Sequence, residues 1–172
     1  MSIQIIAASE KDASALERLI NSAYRGESSK QGWTTEADLL DGGRTDAEAL
    51  REIIRRPDTT IFKCVREENI VGSVELRLEG SRIYLGMLTV RPDLQGAGIG
   101  KKLLAAGEAY AKEKNCDAVF MTVISVRKEL IDWYVRHGYQ LTGERKEFAF
   151  NDLRFGIPKQ KLEFLVLEKK LD

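Results

Sequence analysis

Residues 85–104 contain the feature that most restricts the fold, an apolar strand that runs through a glycine-rich turn directly into a helix. Gly96, Gly98 and Gly100 remove side chains where consecutive backbone N–H groups can converge on an anion. The helix adds its own unpaired N-terminal N–H groups and the positive end of its dipole. This arrangement predicts a site that holds a phosphate or a diphosphate mainly through the main chain.

Two familiar phosphate-binding loops can be tested by counting residues. A P-loop around Gly100-Lys101 would need glycine at position 95 and serine or threonine at position 102, which are Gln95 and Lys102. A dinucleotide fingerprint that starts at Gly96 would need its third glycine at position 101, which is a lysine. Both patterns fail, so a nucleotide-binding protein is the third and least favoured possible function.

Two motifs in a fixed order match a different family. The pattern Gln-x-x-Gly-x-Gly at 95–100 follows a strand and Val-Arg-Pro at 90–92, and Tyr134 stands four residues before Gly138-Tyr139. Together they closely resemble the acyl-coenzyme A loop and the tyrosine motif of the GNAT superfamily of N-acetyltransferases. The resemblance covers roughly residues 60–170. It implies an α/β GNAT acyltransferase fold, a mixed and mostly antiparallel sheet of about seven strands flanked by about four helices.

The composition is that of a globular protein, and its charge balance bears on which partners the protein can bind. The chain has 172 residues, which we interpret as a single GNAT domain over 1–172, and a formal net charge of zero. This balance gives no indication of a nucleic-acid groove or a membrane partner. Cys64, Cys116 and one histidine lack metal-ligand spacing, so we expect no metal site. The sequence shows neither the pattern of a signal peptide nor an apolar run long enough to span a bilayer, so we expect a cytoplasmic protein.

Hydrophobic periodicity and turn residues divide the chain into alternating strands and helices. Residues 25–44 read as a long loop with at most a short helix at 36–40, and Thr45 with Glu48 reads as a capping box. Strands are predicted at 3–7, 60–66, 70–78, 83–90, 117–124, 139–150 and 162–169, and helices at 9–23, 45–56, 98–114 and 128–137.

The resemblance assigns donor binding to the glycine-rich loop and to the strand before it. Backbone N–H groups near Leu88 and Val90 would receive the pantetheine arm, and backbone groups of the loop would bind the diphosphate of acetyl-CoA. Arg127 replaces the asparagine that many relatives have there, and it could reach a phosphate, a substrate carboxylate or only solvent. The predicted cofactor-binding residues are Leu88, Thr89, Val90, Gln95, Gly96, Ala97, Gly98, Ile99, Gly100, Lys101 and Arg127.

The resemblance also suggests the groups that move protons. Tyr134 would act as the general acid, because a phenol stays protonated at neutral pH and can donate to a departing thiolate. The strand before the loop contains no carboxylate, so Glu75 on the neighbouring strand is the first candidate for the general base. Glu36 is the second candidate, and deprotonation of the amine by bulk water is a third route.

The acceptor would be recognised by the segment that follows the first helix. Its aromatic and hydroxyl side chains suit a small ligand with a few polar groups. The predicted substrate-binding residues are Tyr24, Arg25, Trp33, Thr34, Thr35 and Glu36. The sequence thus predicts an acetyl-CoA-dependent N-acetyltransferase that acts on a small-molecule amine or a peptide amino group by direct transfer in a ternary complex. A non-catalytic acyl-CoA sensor is the main alternative. A homodimer and a covalent acetyl-Cys116 route stay open.

Overall fold

A computed structural model describes residues 3–24, 40–41, 45–147, 157–158 and 163–172. Its strands are β1 Ile3–Ala7, β2 Leu40–Asp41, β3 Thr59–Arg66, β4 Asn69–Glu79, β5 Arg82–Val90, β6 Ala118–Ile124, β7 Gln140–Glu147, β8 Ile157–Pro158 and β9 Glu163–Lys170. Its helices are α1 Ala13–Tyr24, α2 Ala47–Arg55, α3 Ile99–Glu113 and α4 Lys128–Arg136. Within these residues, no helix has both the length and the apolar character needed to cross a membrane.

Seven strands form one sheet in the order β1-β3-β4-β5-β6-β9-β7, and β2 pairs with β8 separately. Every pairing in the large sheet is antiparallel except that of β5 with β6, which is parallel. The predicted mixed sheet and the order of elements are confirmed. The parallel pair arises because α3 crosses over between β5 and β6, as parallel neighbours require.

The two parallel strands separate soon after they begin. Only Arg82–Tyr84 pair in register, with Ala118–Phe120, although β5 continues to Val90 and β6 continues to Ile124. The later part of β5 therefore has a strand neighbour on its β4 side, while no pairing with β6 is recorded on its other side. A gap that joins the two faces of the sheet opens there.

A bulge bends β5 beside this gap. Gly86 pairs with Glu75 and Thr89 pairs with Ser73, so two residues of β5 stand opposite one residue of β4. Met87 in the bulge has a left-handed backbone with φ 48°, which is uncommon for a residue with a side chain. The Thr89 hydroxyl donates to the Met87 carbonyl at 2.8 Å and supports this conformation. Bulges of this kind redirect the backbone groups of a strand.

Helices cover both faces of the sheet and enclose two hydrophobic clusters. Helices α3 and α4 pack on one face, where Leu85, Leu103 and Tyr139 are buried. Helices α1 and α2 pack on the other, around Leu16 and Leu50. Because side chains alternate along a strand, neighbouring residues of β5 enter different clusters. The helices thereby hold β5 from both sides next to the gap.

Two local predictions need comment. Thr45 does not cap α2: Asp46 is the N-cap, and its Oδ1 accepts a hydrogen bond from the Ala49 N–H at 2.8 Å. Thr45 instead exchanges two hydrogen bonds with the Asn21 amide of α1, so a tertiary contact outcompetes the local cap. The short helix predicted at 36–40 lies outside the described residues except for residue 40, which begins β2.

The close approach of α3 to the sheet gives a test of the packing. A Cβ at Gly107 would lie 3.1 Å from both Leu76 Cδ2 and Leu85 Cδ1. Gly107→Val should lower the free energy of unfolding by about 1–3 kcal/mol, because its methyl groups overpack this contact. Urea unfolding measures the loss. Ala105→Val is the control, since Ala105 lies on the exposed face of α3 and only helix propensity changes there. Equal losses in the two variants would contradict the packing described here.

Candidate active site

The glycine-rich turn has the backbone shape that main-chain anion binding requires. Gly96 and Gly98 have φ values of +93° and +87°, a left-handed region that residues with side chains rarely adopt. A Cβ at either glycine would meet no atom within 4 Å, so the conformation rather than crowding favours glycine. Gly98 is the N-cap of α3, and the first intrahelical bond runs from Lys102 N–H to its carbonyl at 3.1 Å. The N–H groups of residues 99–101 lie outside the repeating pattern of the helix.

Two contacts hold this turn on the end of β5. The Gln95 side chain donates from Nε2 to the Val90 carbonyl at 3.1 Å. The Ala97 N–H donates to the Leu94 carbonyl at 3.3 Å. The Gln95 side chain therefore positions the turn, and the Ala97 N–H is engaged in a hydrogen bond within the turn. Of the loop residues predicted to bind the cofactor, Gly98–Lys101 present the N–H groups best placed for an anion.

A cleft of about 280 Å³ lies between this turn and α4. The Trp133 and His137 rings stack 4.3 Å apart, and His137 Nδ1 lies 2.7 Å from the Trp133 carbonyl oxygen. These two residues and Leu130 were not among the predicted site residues. Their spacing of three and four residues along one helix face was the available signal. The cleft is lined by Leu88, Val90, Gln95, Gly96, Gly98, Gly100, Lys101, Leu130, Trp133 and His137.

Within the described residues, the edge of β5 that borders the gap carries backbone groups that pair with no strand. The Arg91 N–H donates to the Val71 carbonyl of β4 at 2.8 Å. Because successive amides of a strand point in opposite directions, the Val90 N–H points towards the gap. On the same edge, the Tyr24 hydroxyl donates to the Leu88 carbonyl at 2.9 Å. Thr89 pairs with Ser73, so its backbone groups point to the β4 side, and its role in cofactor binding stays a prediction.

A smaller chamber of about 40 Å³ lies next to the cleft. It shares Leu88, Val90, Gln95 and Leu130 with the cleft. Tyr134 is almost fully buried there, and its ring packs edge-on against those of Trp133 and Tyr139. We call this space the inner chamber; its lining residues are Ala23, Tyr24, Leu88, Thr89, Val90, Gln95, Arg127, Leu130 and Tyr134.

The surroundings of Tyr134 keep its hydroxyl protonated. Burial raises the pKa of Tyr134 well above the ordinary value of a phenol, and Tyr24 and Tyr84 add to the rise. The Arg127 guanidinium acts in the opposite direction, because a nearby cation favours the phenolate. At neutral pH the group is a proton donor and not a base. A general acid must be protonated at rest, and Tyr134 meets this condition.

Arg127 lies in the inner chamber rather than beside the glycine-rich turn. It is the N-cap residue of α4, and only 5% of it is exposed. Its guanidinium carbon lies 5.9 Å from the centre of the Tyr24 ring. Its Nε lies 4.0 Å from Glu129 Oε1, on a side chain that is 44% exposed. Arg127 thus shares the inner chamber with Gln95 and with residues 88–90, while Gly96, Gly98, Gly100 and Lys101 line the cleft.

Glu75 is buried near the bulge and lines neither of the two spaces, as far as the described residues show. It pairs with Gly86, and its Oε2 lies 3.9 Å from Arg77 Nη1. The Tyr84 ring lies over Gly86, where an added Cβ would meet ring atoms at 2.7 Å. Tyr84 was not among the predicted site residues. The one signal in the sequence was its position two residues before Gly86, which places both residues on the same face of the strand.

The remaining candidates differ in what can be said of them. Tyr24 ends α1 and reaches the gap, as its bond to Leu88 shows. Arg25, Trp33, Thr34, Thr35 and Glu36 lie outside the described residues. In the part of the chain that is described, no three histidine, cysteine or acidic side chains gather in a group that could bind a metal. Cys64 and Cys116 are buried, and neither lines the cleft or the inner chamber.

Comparison with known proteins gives matches both by sequence and by fold. The model of the acetyltransferase (GNAT) family matches residues 16–139. A thialysine N-epsilon-acetyltransferase from Bos taurus is 28% identical over 91 residues, which are 53% of this chain and 54% of that protein. The matched segment thus spans about half the length of this curated relative.

Solved structures share the whole fold at low identity. The PaiA N-acetyltransferase of Thermoplasma acidophilum, solved in complex with coenzyme A, superposes with a TM-score of 0.72 at 19% identity, covering 99% of this chain and 100% of that one. The ribosomal-protein-S18-alanine N-acetyltransferase of Escherichia coli superposes with a TM-score of 0.74 at 10% identity, covering 99% and 95%. At such identities the likeness establishes the fold alone. The family match spans more than two thirds of the sequence, and the chain therefore belongs to the acetyltransferase (GNAT) family.

Proposed function

We propose that this protein is a single-domain N-acetyltransferase that transfers an acetyl group from acetyl-CoA to a primary amine by direct transfer in a ternary complex. The observation that carries the proposal is the break between β5 and β6, which opens beside both the glycine-rich turn and the Tyr134 hydroxyl. An anion-binding backbone, an open strand edge and a buried proton donor are thus contiguous. Family membership supports acyl transfer as the reaction class.

The residues present fit coenzyme A as the donor. The left-handed glycines shape a turn whose helix N-terminus suits a diphosphate, and Lys101 lines the same cleft with its cationic side chain. The open edge of β5 at Leu88 and Val90 can accept an amide-bearing chain in the way that a sheet edge accepts a strand. Bound there, acetyl-CoA supplies an activated acetyl thioester. Hydrogen bonds to charged groups contribute about 1.5–3 kcal/mol each, so the shape of the loop should dominate donor affinity.

Tyr134 would donate a proton to the leaving sulfur. Its raised pKa keeps the hydroxyl protonated, and the inner chamber that it lines adjoins the open edge of β5. The proton would pass to the sulfur as the C–S bond breaks and negative charge builds up there.

Glu75 would accept the proton of the incoming amine, directly or through water. It is a buried carboxylate that pairs with Gly86 next to the bulge, and the Tyr84 ring lies over Gly86. Bulk water remains the competing route, because an ion pair with Arg77 also accounts for the position of Glu75. A substitution that keeps its shape distinguishes the two routes.

The names of the relatives support an amine acceptor. One of them is named for the epsilon amine of thialysine and another for the alanine of ribosomal protein S18. A screen of small amines and peptides that follows free thiol release from acetyl-, propionyl- and succinyl-CoA tests the proposal. Turnover with an amine supports it. Tight coenzyme A binding without turnover on any amine would favour the acyl-CoA sensor instead.

Gly98→Val should abolish donor binding while the fold persists. Valine at φ +87° forces the turn to change shape, and the loss of two hydrogen bonds to phosphate should raise the Kd for coenzyme A more than 100-fold, a rough estimate. Calorimetry measures the affinity, and circular dichroism checks the fold. Gly143→Val is the matched control, because Gly143 has φ +88° in β7 and no atom near its Cβ position. Native affinity in Gly98→Val would contradict the role given to this turn.

Tyr134→Phe should lower kcat by about 100-fold and leave the Kd for acetyl-CoA nearly unchanged, because only the proton donor is lost. Steady-state kinetics and calorimetry together test this split. Tyr139→Phe is the control: that buried hydroxyl donates to Glu108 Oε2 at 2.9 Å and not to the chamber. It should lose stability but keep its kcat. Unchanged turnover in Tyr134→Phe would remove this residue from the mechanism.

Glu75→Gln should lower kcat/KM by about 100-fold at pH 7 if the carboxylate takes up the proton. The deficit should shrink as the pH rises towards the pKa of the acceptor, because more of the amine is then already neutral. Glu79→Gln is the control, since Glu79 lies on the same strand, is exposed and also pairs with Arg77. A loss of less than about threefold for Glu75→Gln would favour bulk water as the proton acceptor.

A further inference from the structure

A buried cation lines the space in which the proposed reaction takes place. Arg127 is 95% buried at the start of α4, and it shares the inner chamber with the Tyr134 and Tyr24 side chains. The neighbouring cleft is lined instead by Trp133 and by the loop residues Gly96, Gly98, Gly100 and Lys101. Arg127 therefore stands at the reacting end of the site and not at its phosphate end.

This placement matters for the charge of the acceptor. Primary amines are protonated at neutral pH, so a simple alkylamine would approach Arg127 as a cation towards a cation. The repulsion is strong inside a protein, where the effective dielectric constant is far below that of water. An acceptor that carries an anionic group next to its amine avoids this repulsion and gains an ion pair.

The chemistry of the chamber favours a carboxylate as that anion. A volume of about 40 Å³ admits one small planar group or a few water molecules. Guanidinium presents its N–H groups as a planar fork that matches the two oxygens of a carboxylate. It also has five N–H donors, so a contact with Glu129 at 4.0 Å is compatible with a second anion.

The same chamber limits the distance between the amine and the carboxylate. Tyr134, the proposed donor of a proton to the sulfur, and Arg127 line one small space. The anionic group must then lie only a few bonds from the reacting nitrogen. This spacing is that of an α-amino or β-amino acid and not that of a long diamine.

We propose that Arg127 is a specificity-determining residue that binds the carboxylate of an amino-acid acceptor, so that the substrate class is small free amino acids acetylated on the amine next to the carboxylate. This inference rests on the proposed function, and it assigns Arg127 to the acceptor rather than to the donor. Tyr24, whose ring faces the guanidinium, would hold the side chain in place.

The test compares each of the twenty L-amino acids with its carboxamide, which keeps the shape and removes the negative charge. For the amino acid that it acetylates best, the wild type should have a kcat/KM at least about 10-fold higher than for the corresponding carboxamide. Arg127→Gln should reduce this ratio of kcat/KM values to about one. Arg127→Lys should keep part of the preference, because it keeps the charge and loses the fork. Arg136→Gln, at the exposed end of the same helix, should behave as the wild type.

Calorimetry adds a readout that does not depend on turnover. The preferred amino acid should bind the complex of wild-type protein with coenzyme A, and this binding should weaken about 10- to 100-fold in Arg127→Gln. The affinity of the same variant for coenzyme A should stay unchanged. A loss of coenzyme A affinity would assign Arg127 to the donor and overturn the inference.

The remaining outcomes separate the two proposals. An equal loss of kcat for acids and carboxamides in Arg127→Gln would mean that Arg127 serves the thioester, and the inference would be wrong. Turnover of alkylamines or peptides without turnover of any amino acid would also overturn it while the proposed function stands. Coenzyme A binding with no turnover of any amine would overturn both.

Discussion

The candidate site depends on one interruption of backbone pairing, the separation of β5 from β6 after three paired residues. Inside a sheet, an unpaired strand edge leaves N–H and C=O groups that must find other partners. At Leu88 the Tyr24 hydroxyl supplies one. The turn after β5 adds N–H groups that its helix does not use. The fold thus concentrates unused main-chain donors and acceptors along one line, from the middle of the sheet to the start of α3.

Maintaining such a gap requires rigid support on both sides. Met87 holds a left-handed backbone in the bulge, a conformation that costs free energy and persists only where its surroundings fix it. The hydroxyl of Thr89 and the packing of α1 against β5 provide that support. On the other side, the partly buried network of Tyr139, Glu108 and Lys169 holds the end of α4 against the sheet. Rigid walls keep Tyr134 and Arg127 in fixed positions relative to the strand edge.

Much of this arrangement could be predicted from the sequence, because it follows from local rules. Gly98 at the start of α3 reflects a positive φ that few other residues tolerate, and the strands follow from runs of apolar residues ended by turns. The features that escaped prediction depend on contacts between distant residues. No feature of the sequence near Leu88 indicates that the hydroxyl of Tyr24, 64 residues away, donates to the Leu88 carbonyl. Asp46 rather than Thr45 caps α2 because Asn21 of another helix engages Thr45.

Family resemblance and structure also contribute different kinds of information about the site. The motif around Gly138 singled out Tyr134, but only the packed chain shows that Arg127 lies with it and apart from the loop. Trp133 and His137 illustrate the opposite limit, since their helical spacing is visible in the sequence but equally typical of a core face. Periodicity shows that side chains share a face. It does not show what that face contacts.

The crowded position over Gly86 has a consequence for how this protein can change during evolution. The Tyr84 ring occupies the space that any Cβ at residue 86 would need. Enlarging residue 86 requires the Tyr84 ring to turn away or a smaller side chain at 84, and shrinking residue 84 leaves a space over Gly86. The two positions are therefore coupled, and an exchange at both together is the route by which this part of β5 could be reshaped.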